Sequence, residues 1–142
     1  MSQALDDLRN LCRKYLDECG LKYMIDQDDD FALPYAEGVT VYVSPREWTE
    51  GKTVVQVASI TNRGMRVDDE LGMFLAIENG TLLFGKLALY PDRPEVRVEH
   101  PLLGDWLNRA ELETAVHVVA QVADDYDDKI KDRWGGKKFR ET

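Results

Sequence analysis

The densest run of chemistry-bearing side chains is Asp26-Gln27-Asp28-Asp29-Asp30. With Glu37 it places acids at positions 1, 3, 5 and 12 of a calcium-loop pattern. Such a loop needs glycine at position 6 for its sharp turn, and that position here is Phe31, with Pro34 further inside. A strand led by Gly38 follows Glu37 where the pattern wants a helix, so the run reads as a solvated turn between strands. His100 and His117 each stand alone, without a second residue at a metal-ligand spacing, and both read as structural. Cys12 and Cys19 are seven residues apart on a predicted helix, roughly 10 Å along its axis and beyond disulfide reach. They read as small apolar residues on one helix face. There is no G-x-S-x-G, no phosphate-cradling glycine loop and no H-E-x-x-H. No catalytic residue, metal or cofactor is assigned, and an enzyme would need residues that only folding brings together.

Bulk composition narrows the function further. The chain has 142 residues, 44% hydrophobic and 32% charged, which suits one soluble domain spanning 1–142. A net charge of −9 argues against nucleic acid, because phosphate contacts need clustered Lys and Arg, and it favours a cationic partner. No apolar run is long enough to span a bilayer, and the first helix is acidic rather than signal-like. No membrane association is expected, and a cytoplasmic location is.

The elements that must position any site follow from periodicity. Residues 3–19 form an amphipathic helix, with Leu5, Leu8, Cys12, Tyr15 and Cys19 in a 3-4-3-4 stripe that Gly20 ends. Short strands are predicted over 21–26 and 31–35, the second demoted to an edge by Pro34. Val39, Val41 and Val43 alternate along a strand over 39–43 that Ser44-Pro45 stops, and 46–51 is a loop. The near-continuous apolar run at 53–60 suits a central strand. Residues 67–79 make a helix capped by Asp68 or Asp69 and closed by Asn79-Gly80. A strand over 81–90, a tight turn at 91–94 and an alternating strand over 95–100 follow. That last alternation sets Val96, Val98 and His100 opposite Glu95, Arg97 and Glu99, as in a sheet with one dry face and one wet face. A final helix of roughly 30 residues, from Gly104-Asp105 to about Trp134, would be about 45 Å long. It is long enough to project or to reach a second subunit. From about residue 135 the tail is basic, Lys137-Lys138-Phe139-Arg140.

The three tryptophans read differently. Trp106, beside Leu102 and Leu103, is expected in the core. Trp48, in a polar loop, is either an exposed binding anchor or a loop cover. Trp134, after Lys129, Lys131 and Arg133, is expected at a frayed helix end with a basic rim. The basic residues of 129–140 are a patch that could contact the acidic face of a neighbouring subunit.

The order helix, three or four strands, helix, two strands, helix is an α+β sandwich, α-βββ(β)-α-ββ-α, with helices covering an antiparallel sheet. That order, with the 39–43 strand, the 54–58 strand and the 81–86 segment after Asn79-Gly80, resembles the type III secretion chaperones and the YbjN family. The resemblance implies a cytoplasmic bacterial protein, often a homodimer, that holds polypeptide segments on apolar patches. It implies no cofactor and no catalytic residue, and YbjN members are also described as regulators. The reading is therefore a non-catalytic peptide- or protein-binding module, chaperone-like or regulatory. Phe31, Tyr42 and Trp48 are its candidate peptide contacts, being aromatic and near edges or loops. The alternatives are a small-molecule sensor or enzyme with a pocket between sheet and helices, and a purely structural dimerisation domain.

Overall fold

A computed structural model describes residues 2–142; the side chain of Glu37, the acid that would close the calcium pattern, also lies outside the described atoms. The chain opens with α1 (Gln3–Glu18), whose first turn is closed by Ser2 Oγ accepting from the Leu5 amide at 3.1 Å. Leu8, Cys12 and Leu16, four apart, bury one stripe of it. Then come β1 (Met24–Ile25), β2 (Phe31–Pro34), β3 (Thr40–Thr49) and β4 (Lys52–Arg63). Helix α2 (Asp69–Asn79) follows, then β5 (Lys86–Tyr90), β6 (Glu95–Leu103), α3 (Arg109–Trp134) and a two-residue β7 (Lys137–Lys138). The antiparallel sheet runs β1-β2-β3-β4-β6-β5, with β7 added on β4.

Alternation along the strands decides which face is dry. Val41, Val43, Val55, Val57, Val96 and Val98 are all fully covered on one face, where α1 and α3 pack on β3, β4 and β6 and α2 packs on β5. Each such side chain contributes about 1.5–3 kcal/mol on burial. The apolar run of β4 does hold an interior place in the sheet, as its continuity predicts. Thr40, Tyr42, Ser44, Gln56 and Ala58 point the other way, and none of the three α-helices packs on that open face.

Several boundaries differ from the expectation, each for a physical reason. The strand expected to stop at Ser44-Pro45 continues to Thr49, so 46–51 is strand and tight turn. Beyond Val43, β3 pairs only with β4, so the missing N–H of Pro45 breaks no ladder bond. The 21–26 strand shrinks to Met24–Ile25, because Asp26 Oδ1 folds the acidic run into a turn, accepting from the amides of Asp28 (2.9 Å) and Asp30 (3.0 Å). β5 starts at Lys86, not residue 81: Gly85 takes φ +77°, and the Asn79 side-chain amide substitutes for a strand partner. It donates to the Leu87 carbonyl (3.0 Å) and accepts from the Leu87 amide (2.7 Å). Asp68 is the cap of α2, accepting from Leu71 N at 2.9 Å. α3 starts at Arg109, capped by Asn108, after a single 3-10 turn at Gly104–Trp106.

The expected wet face is not wet throughout. Glu95 and Glu99 are 3% and 7% exposed. Glu95 is clamped between Arg63 (2.9 Å) and Arg97, and Glu99 accepts from the Tyr90 hydroxyl. Burial pushes the Glu95 carboxyl up, but Arg97 and Arg63 outweigh it and hold it below the usual range.

Asp127 is the opposite case: it is buried on α3 with Oδ1 unpartnered, beside Asn62, whose Nδ2 donates to the Asp127 carbonyl at 2.9 Å. Burial raises its pKa, so the folded chain holds that proton more tightly than the unfolded chain does. Its contribution to stability therefore grows as pH falls through the folded pKa towards the unfolded value near ~3.9. Asp127→Asn is expected to stabilise the fold by about 1 kcal/mol at neutral pH and to flatten this part of the profile. Urea unfolding at neutral and mildly acidic pH checks it; a destabilised amide variant would show that the carboxylate is needed.

Candidate functional site

The open face is built mainly by the β3–β4 hairpin. Gly51, at φ +73°, turns the chain so that β3 and β4 pair from Tyr42↔Ala58 to Thr49↔Lys52, with a bulge between Glu47 and Thr49. Trp48 sits in that bulge and is 62% exposed. Next to it in the open-face register are Val54 and its cross-strand partner Leu103, itself 58% exposed. These three make an apolar patch at the hairpin end of the face. Towards the middle the face becomes a cleft of about 860 Å³ lined by Ala32, Tyr42, Gln56, Ile60, Arg46 and Arg97. Arg46 donates to both Asp30 oxygens (2.7 and 2.9 Å), an ion pair that raises its already high pKa. Burial pushes the Tyr42 phenol up as well, with Arg63 opposing.

The helix-covered side carries two further features. An apolar pocket of about 310 Å³ lies between β6 and α3, lined by Phe84, His100, Leu102, Ala115 and Val118. Met73 (62% exposed) and Ile77 (59%), four apart on α2, form an uncovered apolar row. Among the described residues no group of His, Cys, Asp and Glu is arranged to hold a metal ion, and no helix is long and apolar enough to cross a membrane.

A family model described as T3SS (YopN, CesT) and YbjN peptide-binding chaperone 1 matches residues 6–142. The chain belongs to this family of peptide-binding chaperones.

Solved structures agree on the fold. The chaperone is similar to a chain of the HopA1–SchA chaperone–effector complex, at 7% identity and TM-score 0.69, covering 90% of this chain and 98% of that one. It is similar to a chain of the ExsC–ExsE complex, at 14% identity and TM-score 0.68, covering 92% and 97%. It is also similar to Escherichia coli YbjN, titled a putative transcription regulator, at 14% identity and TM-score 0.66, covering 85% and 92%. No curated protein sequence matches the chain. The α+β order and the resemblance read from the sequence are thus both established.

The structure places the three aromatic candidates of this chaperone apart. Tyr42 and Trp48 share the open face, the first half-buried and the second exposed. Phe31 points to the other face, 1% exposed, with its ring edge-on to Tyr23 at 5.2 Å, and offers no surface to a ligand. Trp106 is 69% exposed instead of in the core, because the 3-10 turn after β6 leaves it outside both layers. Trp134 is 2% exposed instead of frayed: its ring packs on Phe74 at 5.2 Å and its Nε1 donates to Asp68 at 3.0 Å. His100 accepts from the Gly85 amide at 3.1 Å, and His117 bonds the Tyr35 hydroxyl. Leu103 and the pocket residues Phe84 and Leu102 were not read as site residues in the sequence. Extending the Val96-Val98-His100 alternation three residues, to Leu103, would have put Leu102 on the covered side and Leu103 on the open one.

Proposed function

We propose that this chaperone holds an extended polypeptide segment on the open face of its sheet and performs no catalysis. The observation that carries the reading is that all three helices pack on one face, while the other keeps Trp48 and Leu103 exposed beside half-buried Tyr42 and Val54. Exposed apolar surface rimmed by polar groups marks an interaction site. An extended segment suits it because alternate side chains can meet the anchors while its backbone stays free to pair. At the sheet edges, Asn79 already occupies the Leu87 groups of β5. The β1 edge, with Met24 and Ile25 exposed, is the one an added strand would use. Tyr42 and Trp48 remain as contacts; Phe31 is set aside by its burial.

The Met73–Ile77 row supports pairing of two copies of the chain through α2, and a cytoplasmic homodimer completes the proposal. The test is an array of short peptides probed with the purified protein, beside light scattering. Capture of a defined subset of peptides by a particle of twice the chain mass is expected; capture of none would sink the peptide reading, and a monomer the pairing. The apolar pocket between β6 and α3 favours a second reading, a small apolar ligand held between sheet and helix. An array that captures nothing would move the weight there.

A further inference from the structure

We propose that the open face carries an aromatic seat, made by Tyr42 and Arg63, which the chain's own C-terminal segment fills, and that the client that displaces it is an extended segment with basic residues immediately before an aromatic one. This rests on the peptide-holding reading above and names the client chemistry and the built-in competitor for one part of that surface.

The first observation is a vacated lane. β4 runs on to Arg63, past the last β3 partner at Ala58, and beside Asn62 and Arg63 the lane is taken by β7, in the register Asn62↔Lys138 and Arg63↔Lys137. The chain thus adds a strand to its own sheet in the manner of a peptide ligand. Phe139 leaves that strand onto the open face, where its ring meets Tyr42 edge-on at 6.4 Å under the Arg63 guanidinium at 4.9 Å.

The second observation is how the residue before the aromatic is read. Lys138 is 7% exposed, and its Nζ donates to Asp128 at 2.8 Å. Asp128 closes the α3 run Asp124-Asp125-Tyr126-Asp127-Asp128, with buried Asp127 beside it. A cation at this position faces an acidic helix turn in a chain of net charge −9, so Lys or Arg is favoured and Asp or Glu repelled.

The third observation is that the segment is swung in sharply and held by local, partly exposed contacts. Gly135 and Gly136 both take positive φ, 73° and 76°, and a Cβ on Gly136 would come within 2.5 Å of the Arg63 carbonyl oxygen. Beyond that turn the contacts of the segment include two ladder pairs, the Phe139 ring, the Arg140 side chain against Gly38, and ion pairs whose acids are exposed: Asp128 with Lys138, and Glu141 with Lys131 at 2.9 Å. Contacts of this kind release locally without unfolding the core. A tethered segment of this length acts at a high effective concentration, so it lowers the apparent affinity of a client for the same seat.

The experiment titrates two fluorescent synthetic peptides, one with a Lys-Lys-Phe-Arg centre and one with Glu-Glu-Phe-Arg, onto the full chain and its variants. Phe139→Ala is expected to bind the basic peptide about ten-fold tighter than the unaltered chain does. Lys138→Glu, which drives the tail away from Asp128 while keeping Phe139, should give a gain of the same direction. Adding Tyr42→Ala to Phe139→Ala should remove the gain, and the acidic peptide should bind Phe139→Ala at least about ten-fold more weakly. Equal affinities of the unaltered chain and Phe139→Ala for the basic peptide would overturn the proposal, as would equal affinities of Phe139→Ala for the two peptides. If neither peptide binds any variant while the peptide array captures other segments, the seat is wrong and the peptide-holding reading stands. A blank array as well removes both.

Discussion

Trp134→Ala is expected to cost about 3–5 kcal/mol of folding stability, a large share of the ~5–15 kcal/mol available to a domain. Trp134 is the largest of the fully buried side chains and lies in the last turn of α3, where it ties that helix to the start of α2. Its ring packs on Phe74 of α2, its Nε1 donates to Asp68, and its carbonyl accepts from the Arg66 amide at 2.8 Å. Asp68 is also the cap of α2, its pKa lowered by the Leu71 amide first and the Arg66 side chain next. Removing the indole therefore opens a cavity and takes one partner from the cap at once. Trp134→Phe should recover most of the packing and lose about 1 kcal/mol for the missing N–H. Guanidinium unfolding of the three proteins checks this, and a loss below ~1 kcal/mol for the alanine variant would mean that the helix end is frayed after all.

The second large effect is on binding. Trp48→Ala is expected to weaken capture of array-selected peptides by about thirty-fold, the ~2 kcal/mol scale of an aromatic hot spot. The ring is mostly exposed in the free chain, so its truncation should leave stability within about 0.5 kcal/mol. An effect on affinity with none on stability separates an anchor from a loop cover. The bulge at Glu47/Thr49 places Trp48 next in register to the pair Val54↔Leu103, so a client side chain can meet apolar surface on both. Met73→Ala, on the far side of the molecule, is the control and should leave peptide capture unchanged. Loss of capture in both variants alike would refute a localised anchor.

The two predictions concern tryptophans that look alike in the sequence, each in a charged neighbourhood, yet one is core and one is surface. The helices were legible because their stripes are local: Leu8 and Cys12 recur at helical spacing whatever lies across from them. The open and covered faces of β3 and β6 were legible too, since alternation needs only the pleat. The extension of β3 through Pro45 was not, because a proline's cost depends on whether a neighbour strand is there to miss its N–H. The delayed start of β5 was hidden in the same way, in an Asn79 side chain eight residues upstream of Leu87.

By itself the sequence determined the order of the three helices and of the main strands, and with it the resemblance to the α+β chaperone family to which the chain belongs. Those depend on periods of 3.6 and 2 residues along the backbone. Only the tertiary structure decided that Trp134 is covered and Trp106 is not, that Phe31 faces the core, and that the basic tail closes on the chain's own sheet. Trp134 and the tail turn on partners far away along the chain: Asp68, 66 residues from Trp134, and Asn62 and Arg63, which pair with Lys138 and Lys137. No local spacing encodes a contact across that distance; the packing of layers does.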